Sequence, residues 1–184
     1  MKKILSLIIF IVVGTSFFTA SSYATNASDT PSSAQTQKDG EIIALLVAAD
    51  KNEIAVAKEA LKKGTTPAVK HYAKLLKLQH TKNLNGALKL SKKIGIAPIE
   101  TATVISLQED GAKELVTLSS LKGKEFNKEF VDAMVTGHTD VLKMIDDNFL
   151  KNVSNPSLKK FVLATRPHIE AHLKQGQKIQ KSLN

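Results

Sequence analysis

The segment Pro67–Ile94, PAVKHYAKLLKLQHTKNLNGALKLSKKI, decides the fold. Val69, Ala73, Leu76, Leu84, Ala87, Leu90 and Ile94 recur at intervals of three and four, with His80 in the gap between Leu76 and Leu84. That period is the signature of a helix with one apolar stripe, and alternation suited to a strand is missing. Thr66-Pro67 supplies a capping side chain followed by proline at the first helical position. Gly95-Ile96-Ala97-Pro98 ends the run.

The same pattern extends in both directions. An earlier helix is expected from about Asp39 to Lys63, with Ile43, Leu46, Asp50, Ile54, Ala57 and Leu61 on its stripe and Gly64 closing it. A third is expected from about Glu100 to Leu121, a fourth from Glu125 to Val153 and a fifth from Pro156 to Ser182. Pro167 should kink or split the last, because proline removes a backbone donor and crowds the preceding turn. No segment carries a β-hairpin signal. Long helices joined by short breaks favour antiparallel neighbours. The expected fold is therefore all-α, an up-and-down helical bundle with an additional C-terminal helix.

The chain opens differently. Met1-Lys2-Lys3 precedes an apolar run from Ile4 to Phe18, and Ser22 and Ala24 give small-x-small spacing. This is the layout of a secretory signal peptide over residues 1–24, cleaved after Ala24. Residues 25–39, rich in Ser, Thr, Ala and Gln, read as a disordered linker. The bundle domain is then expected over 40–183. The 184 residues include no cysteine, so disulfides, thiolate ligands and thiol nucleophiles are excluded. The formal charge is +9, and two of those charges, Lys2 and Lys3, belong to the leader.

Histidine carries the chemistry. His80 and His138 lie within apolar stripes, and His168 and His172 stand four apart on the last helix. A stripe imidazole must find a partner or ionise at a cost. Asp50 and Glu53 offer carboxylates three residues apart on the first helix, and Glu109, Asp110 and Glu114 offer others on the third. Three readings follow. Glu53, His80, His138, His168 and His172 form a hydrogen-bonded layer that fixes helix register, or a site for zinc or iron, or the histidines are partly solvent-exposed. A diiron centre of the usual kind is disfavoured, since Lys77, Val135 and Ile169 occupy the places three residues before His80, His138 and His172. A weak internal echo relates His80-Thr81-Lys82-Asn83-Leu84 to His138-Thr139-Asp140-Val141-Leu142, with Leu76 matching Met134 and Ala87 matching Ile145.

These positions carry a resemblance. Glu53-Ile54, His80-Thr81, Lys122-Gly123-Lys124-Glu125-Phe126-Asn127, His138, and Arg166-Pro167-His168-Ile169-Glu170-Ala171-His172 occur in the order of a bacterial family of unknown function. Its members are often labelled outer-membrane or secreted proteins. The resemblance spans residues from about 40 to 183 and implies a ferritin-like bundle with Glu53, His80, His138 and His172 grouped. This chain departs from the pattern at Asn127, where aspartate is usual, at Gln79 and Gly137 before the histidines, and at Arg166 before the proline.

Other functions are disfavoured by residue type. Arg166 is the only arginine, so bidentate readout of phosphates or bases is nearly absent and nucleic-acid binding is not expected. No nucleophile elbow or phosphate-cradling glycine loop occurs. Lysine pairs such as Lys62-Lys63, Lys92-Lys93 and Lys159-Lys160 allow weak association with an anionic envelope surface. The sequence thus reads as an exported, non-enzymatic bundle of the cell envelope, periplasmic or secreted and associated at most peripherally with the outer membrane. No transmembrane segment is expected in the mature chain. The alternative is a metal-binding or redox-protective bundle with His and Glu ligands.

Overall fold

The computed structural model describes residues 32–183. The expected leader, its cleavage after Ala24 and the first part of the linker lie outside the described residues. Within them the chain is helical throughout: α1 (Ser33–Lys63), α2 (Pro67–Ile94), α3 (Ala102–Ser120), α4 (Gly123–Met144) and α5 (Pro156–Leu183). From α4 the chain continues through a π-helical turn, Ile145–Phe149, and a last short turn, Leu150–Asn152. No strand occurs among the described residues. None of their helices is long and apolar enough to cross a membrane.

Helix α1 begins at Ser33 rather than near Asp39, so the last residues read as linker are helical. The reason is local. Ser32 accepts from the Gln35 backbone N–H while the Gln35 side chain accepts from the Ser32 N–H, a capping box that satisfies two otherwise unpaired donors. Thr66 and Thr101 cap α2 and α3 in the simpler way, each accepting from the backbone N–H three residues on. Gly95 stops α2 in the left-handed conformation at φ 70°, which a residue without Cβ adopts at little cost. Pro167 does not split the last helix; Pro156–Leu183 is one helix with the proline inside it.

Paired contacts give the directions. Asp50 meets His80, Glu53 meets His138, His138 meets His172 and Gln79 meets His172, each pair on antiparallel neighbours. Asn52 on α1 bonds the Leu107 carbonyl on α3 and Lys63 bonds that of Leu121, so α1 and α3 run parallel. This is the expected up-and-down bundle with its extra C-terminal helix. Four helices, α1, α2, α4 and α5, surround the centre, and α3 packs on the flank of α1.

Two apolar clusters fill the bundle. One gathers Ile42, Ile43, Leu46, Ala87, Ile145, Phe149, Leu158, Val162 and Ile169. The other gathers Val56, Ala60, Val69, Tyr72, Leu76, Leu118, Phe126, Phe130, Met134 and Ile179. On each central helix the histidine or carboxylate positions fall between the two sets. The clusters are therefore two hydrocarbon compartments with a polar layer between them.

Two buried polar contacts tie the ends. Asp39, fully buried, accepts from the backbone N–H groups of Ser154 and Asn155 and from the Ser154 hydroxyl, fixing the start of α1 against the entry to α5. At the opposite end Asn127 accepts from the Thr65 N–H at 3.1 Å and donates to the Thr65 hydroxyl at 2.6 Å. An ionised carboxylate there has no hydrogen to donate to that hydroxyl.

Candidate metal centre

The stripe of α2 places His80 inward, that of α4 places His138, and that of α5 places His172; they are 4%, 1% and 2% exposed. Their ring centroids stand 5.7, 5.1 and 5.2 Å apart. Each ring offers one nitrogen, and these ligand atoms all lie within 4.8 Å of one another. The two histidines matched by the internal echo, His80 and His138, are thus brought together, and Leu76, Met134, Ala87 and Ile145, matched in the same frame, are all buried.

Each ring is held by an acceptor outside the triad. His80 Nδ1 lies 2.8 Å from Asp50 Oδ1, and Asp50 Oδ2 accepts from the Asn83 amide, whose oxygen accepts from Thr165. His138 Nδ1 donates to the Met134 carbonyl at 2.7 Å. His172 Nε2 lies 2.9 Å from Gln79 Oε1. A histidine that donates one N–H to an acceptor presents the other nitrogen as a bare lone pair, the arrangement found around metal-bound imidazoles. His80 Nε2 is buried without any hydrogen-bond partner. His138 Nε2 and His172 Nδ1 face each other at 3.2 Å. Two imidazole nitrogens on one tetrahedral zinc ion, at about 2.0–2.1 Å from it, stand roughly 3.3 Å apart.

Glu53 is the near carboxylate. Its Oε1 is 3.6 Å from His138 Nδ1, beyond hydrogen-bond reach, and its Oε2 is buried with no partner. Asp50, Glu53, His80, Asn83, His138 and Thr165 border one small cavity of about 20 Å³, room for a single water, and His172 does not line it. A wider open groove of about 470 Å³ along Lys51, Ile54, Lys58 and Leu115 includes none of the histidines and has no part in the site.

Electrostatics separate the rings. Burial pushes His80 down, but the hydrogen bond to Asp50 and the charges of Glu53 and Asp50 outweigh it, so its pKa is raised. Asp50 is raised as well, chiefly by burial, so this pair keeps a proton between its members. Burial and the His80 charge lower His138 despite the opposing pull of Glu53. His172 falls to about 3, through burial and then the neighbouring imidazoles. His138 and His172 are therefore neutral at physiological pH, as a metal ligand must be.

The remaining sequence candidates separate. His168 is exposed and takes no part in the triad. The buried stripe of α5 runs Thr165, Ile169, His172, Gly176, and His168 stands one residue off its edge. Glu109 and Asp110 are exposed, whereas Glu114 is half-buried with Oε1 unpartnered. Asn83 and Gln79 lie off the stripe of α2 and the Met134 carbonyl is main chain, so only packing reveals their part; Thr165 lies on the stripe of α5, and the sequence does not tell its partner. Tyr72 donates to the His172 carbonyl at 2.9 Å. Gly176 makes that approach possible, since a Cβ there would lie 2.9 Å from the Tyr72 hydroxyl.

Glu114 gives a pH dependence. Burial, then the charges of Glu53 and Glu129, push its carboxyl up from the ordinary 4.5 to about 7. Between those values the folded chain holds more protons than the unfolded one, so this residue's contribution to stability falls as pH rises through that window. Glu114→Gln is expected to stabilise the protein by on the order of 1–2 kcal/mol near pH 8. Near pH 4 the effect should be close to zero. Urea denaturation at both pH values measures it, and an equal effect at both would reject the assignment.

Comparison with curated proteins and with solved structures gives no match. The profile of one family covers residues 24–179, which takes in α1 to α4 and nearly all of α5 with every member of the histidine triad. The chain belongs to that family, described as a domain of unknown function (DUF4142).

Proposed function

We propose that this protein is an exported metal-binding bundle of the cell envelope, in which His80, His138 and His172 hold one divalent zinc or iron ion, with Glu53 beside His138 as a nearby carboxylate. The observation that carries the reading is the convergence of three buried imidazoles from three helices, with His80 Nε2 left without a partner. An unsatisfied buried acceptor costs about 1–3 kcal/mol, and an ion coordinated there removes that penalty. Charge favours a divalent cation. Asp50 and Glu53 border the cavity and together balance two positive charges, while the three imidazoles bind as neutral ligands.

The seclusion of the site suits ion retention better than turnover of a substrate, because all three imidazoles are buried and the cavity beside His80 and His138 is only about 20 Å³. The reading is accordingly non-enzymatic. Export rests on Met1-Lys2-Lys3, the apolar run Ile4 to Phe18 and the small residues up to Ala24. Lysine at the helix ends supports weak attraction to an anionic envelope surface. Arg166, the lone arginine, is engaged bidentately with Asp146 and also with Glu170, which argues against a nucleic-acid partner.

Elemental analysis of protein purified without a histidine tag tests the proposal. About one equivalent of zinc or iron per chain is expected, and the His80→Ala/His138→Ala double variant should carry none. Metal-free wild-type protein after growth with added zinc and iron would leave only the hydrogen-bonded layer.

A further inference from the structure

The contacts around His172 admit two proton arrangements on one heavy-atom skeleton. A backbone carbonyl only accepts, so His138 Nδ1 carries a proton toward Met134 and His138 Nε2 is a bare acceptor. His172 Nδ1, 3.2 Å away, is then either a second bare nitrogen or an N–H donor to His138. The choice is set at the other side of the ring, where Gln79 stands 2.9 Å from Nε2. With its carbonyl toward Nε2, as in this structure, the amide accepts the Nε2 proton and leaves Nδ1 bare. With the amide turned over, its NH2 donates to Nε2, and the ring proton moves to Nδ1 and bonds His138.

We propose that Gln79 is the positioning residue of the centre: the orientation of its carboxamide decides whether the triad is a three-nitrogen receptor for a divalent metal ion or a closed hydrogen-bonded chain. In the closed form the sequence Gln79 amide, His172, His138, Met134 carbonyl is fully paired, and the ion is excluded because His172 Nδ1 bears hydrogen. In the receptor form, His138 Nε2 and His172 Nδ1 repel each other unless a cation lies between them. This structure has the receptor orientation, which leaves two bare nitrogens facing each other at 3.2 Å; without a cation between them the amide is expected to turn by half a rotation and close the chain, and ion entry to turn it back. Both forms retain a hydrogen bond at Gln79, so the exchange needs no backbone movement. Gln79 is half-buried on α2, beside exposed Leu78, which leaves its amide room to turn.

The inference rests on the metal reading, and its experiment separates the two. Nitrogen-15 spectra of the imidazoles report which ring nitrogen carries hydrogen. In metal-free wild-type protein His172 is expected as the Nδ1–H tautomer, and with Zn(II) as the Nε2–H tautomer with Nδ1 coordinated. Gln79→Glu can only accept when ionised, so its His172 should be Nε2–H even without metal. Loss of a partner of this kind changes metal affinity by about 10–100-fold. Gln79→Leu should weaken Zn(II) binding within that range, and Gln79→Glu should restore or exceed wild-type affinity. Wild-type protein that binds no Zn(II) overturns the metal reading, while the metal-free Gln79→Glu spectrum still tests the coupling. An Nδ1–H His172 in that variant, or Zn(II) affinity unchanged in both variants, overturns the role of Gln79. If Gln79→Leu does not fold, the tautomer in Gln79→Glu decides alone.

Discussion

Zinc is expected to raise the melting temperature of the protein by about 5–10 °C when the free ion stands near one hundred times its dissociation constant. At that ratio a ligand confined to the native state adds about 2.7 kcal/mol. For a chain of this length each kcal/mol moves the midpoint by roughly 2–4 °C. The response should vanish in His138→Ala. That substitution removes one of the three nitrogens of the triad, and the two imidazoles left cannot hold the ion against water. The variant also starts lower than wild type, because a side chain 1% exposed and hydrogen-bonded to Met134 is replaced by a void. The shift on adding zinc, rather than the baseline, is the quantity to read. Magnesium is the control, since it prefers a shell of oxygen ligands and waters that three imidazoles do not provide. A melting curve indifferent to zinc would falsify the metal reading and leave a purely structural layer.

Asp39→Ala should lower stability by about 3 kcal/mol, or roughly 6–12 °C in melting temperature. Asp39 is 0% exposed and holds the turn between α4 and α5 through Ser154 N and Asn155 N, each at 2.9 Å, and through Ser154 Oγ at 2.6 Å. Truncation strands two backbone donors in a half-buried turn and releases the start of α5. Asp39→Asn should recover only part of the loss, because its amide NH2, itself a donor, faces a donor where a carboxylate oxygen accepted. Thermal unfolding followed by circular dichroism measures both variants. A loss below about 1 kcal/mol for the alanine variant would show that water replaces the carboxylate in this turn.

The helices were legible because burial imposes a period, and the stripe of α2 from Val69 to Ile94 records it. Ends were less legible. Ser32 and Gln35 form a cap through side chains that look like linker composition, so α1 starts earlier than apolar spacing suggests. The triad was half legible: His80, His138 and His172 occupy stripe positions, and a polar residue in such a place has to be accounted for. His168 misled because a four-residue step shares a helical face only approximately, and the stripe of α5 passes beside it. Gln79 and Asn83 were hidden, since a polar residue next to a stripe looks the same whether it meets solvent or an imidazole. Their roles depend on what α5 and α1 bring opposite them.

The polar layer divides the hydrocarbon interior into two compartments, and this limits how the helices can slide. Moving any one of them along its axis by a turn, about 5.4 Å, would drive an imidazole or carboxylate into hydrocarbon and set a methyl-bearing side chain among the rings. The layer thus acts as a detent that admits a single alignment of α1, α2, α4 and α5. Each end can then accept new combinations of aliphatic residues without disturbing the other, while the middle cannot.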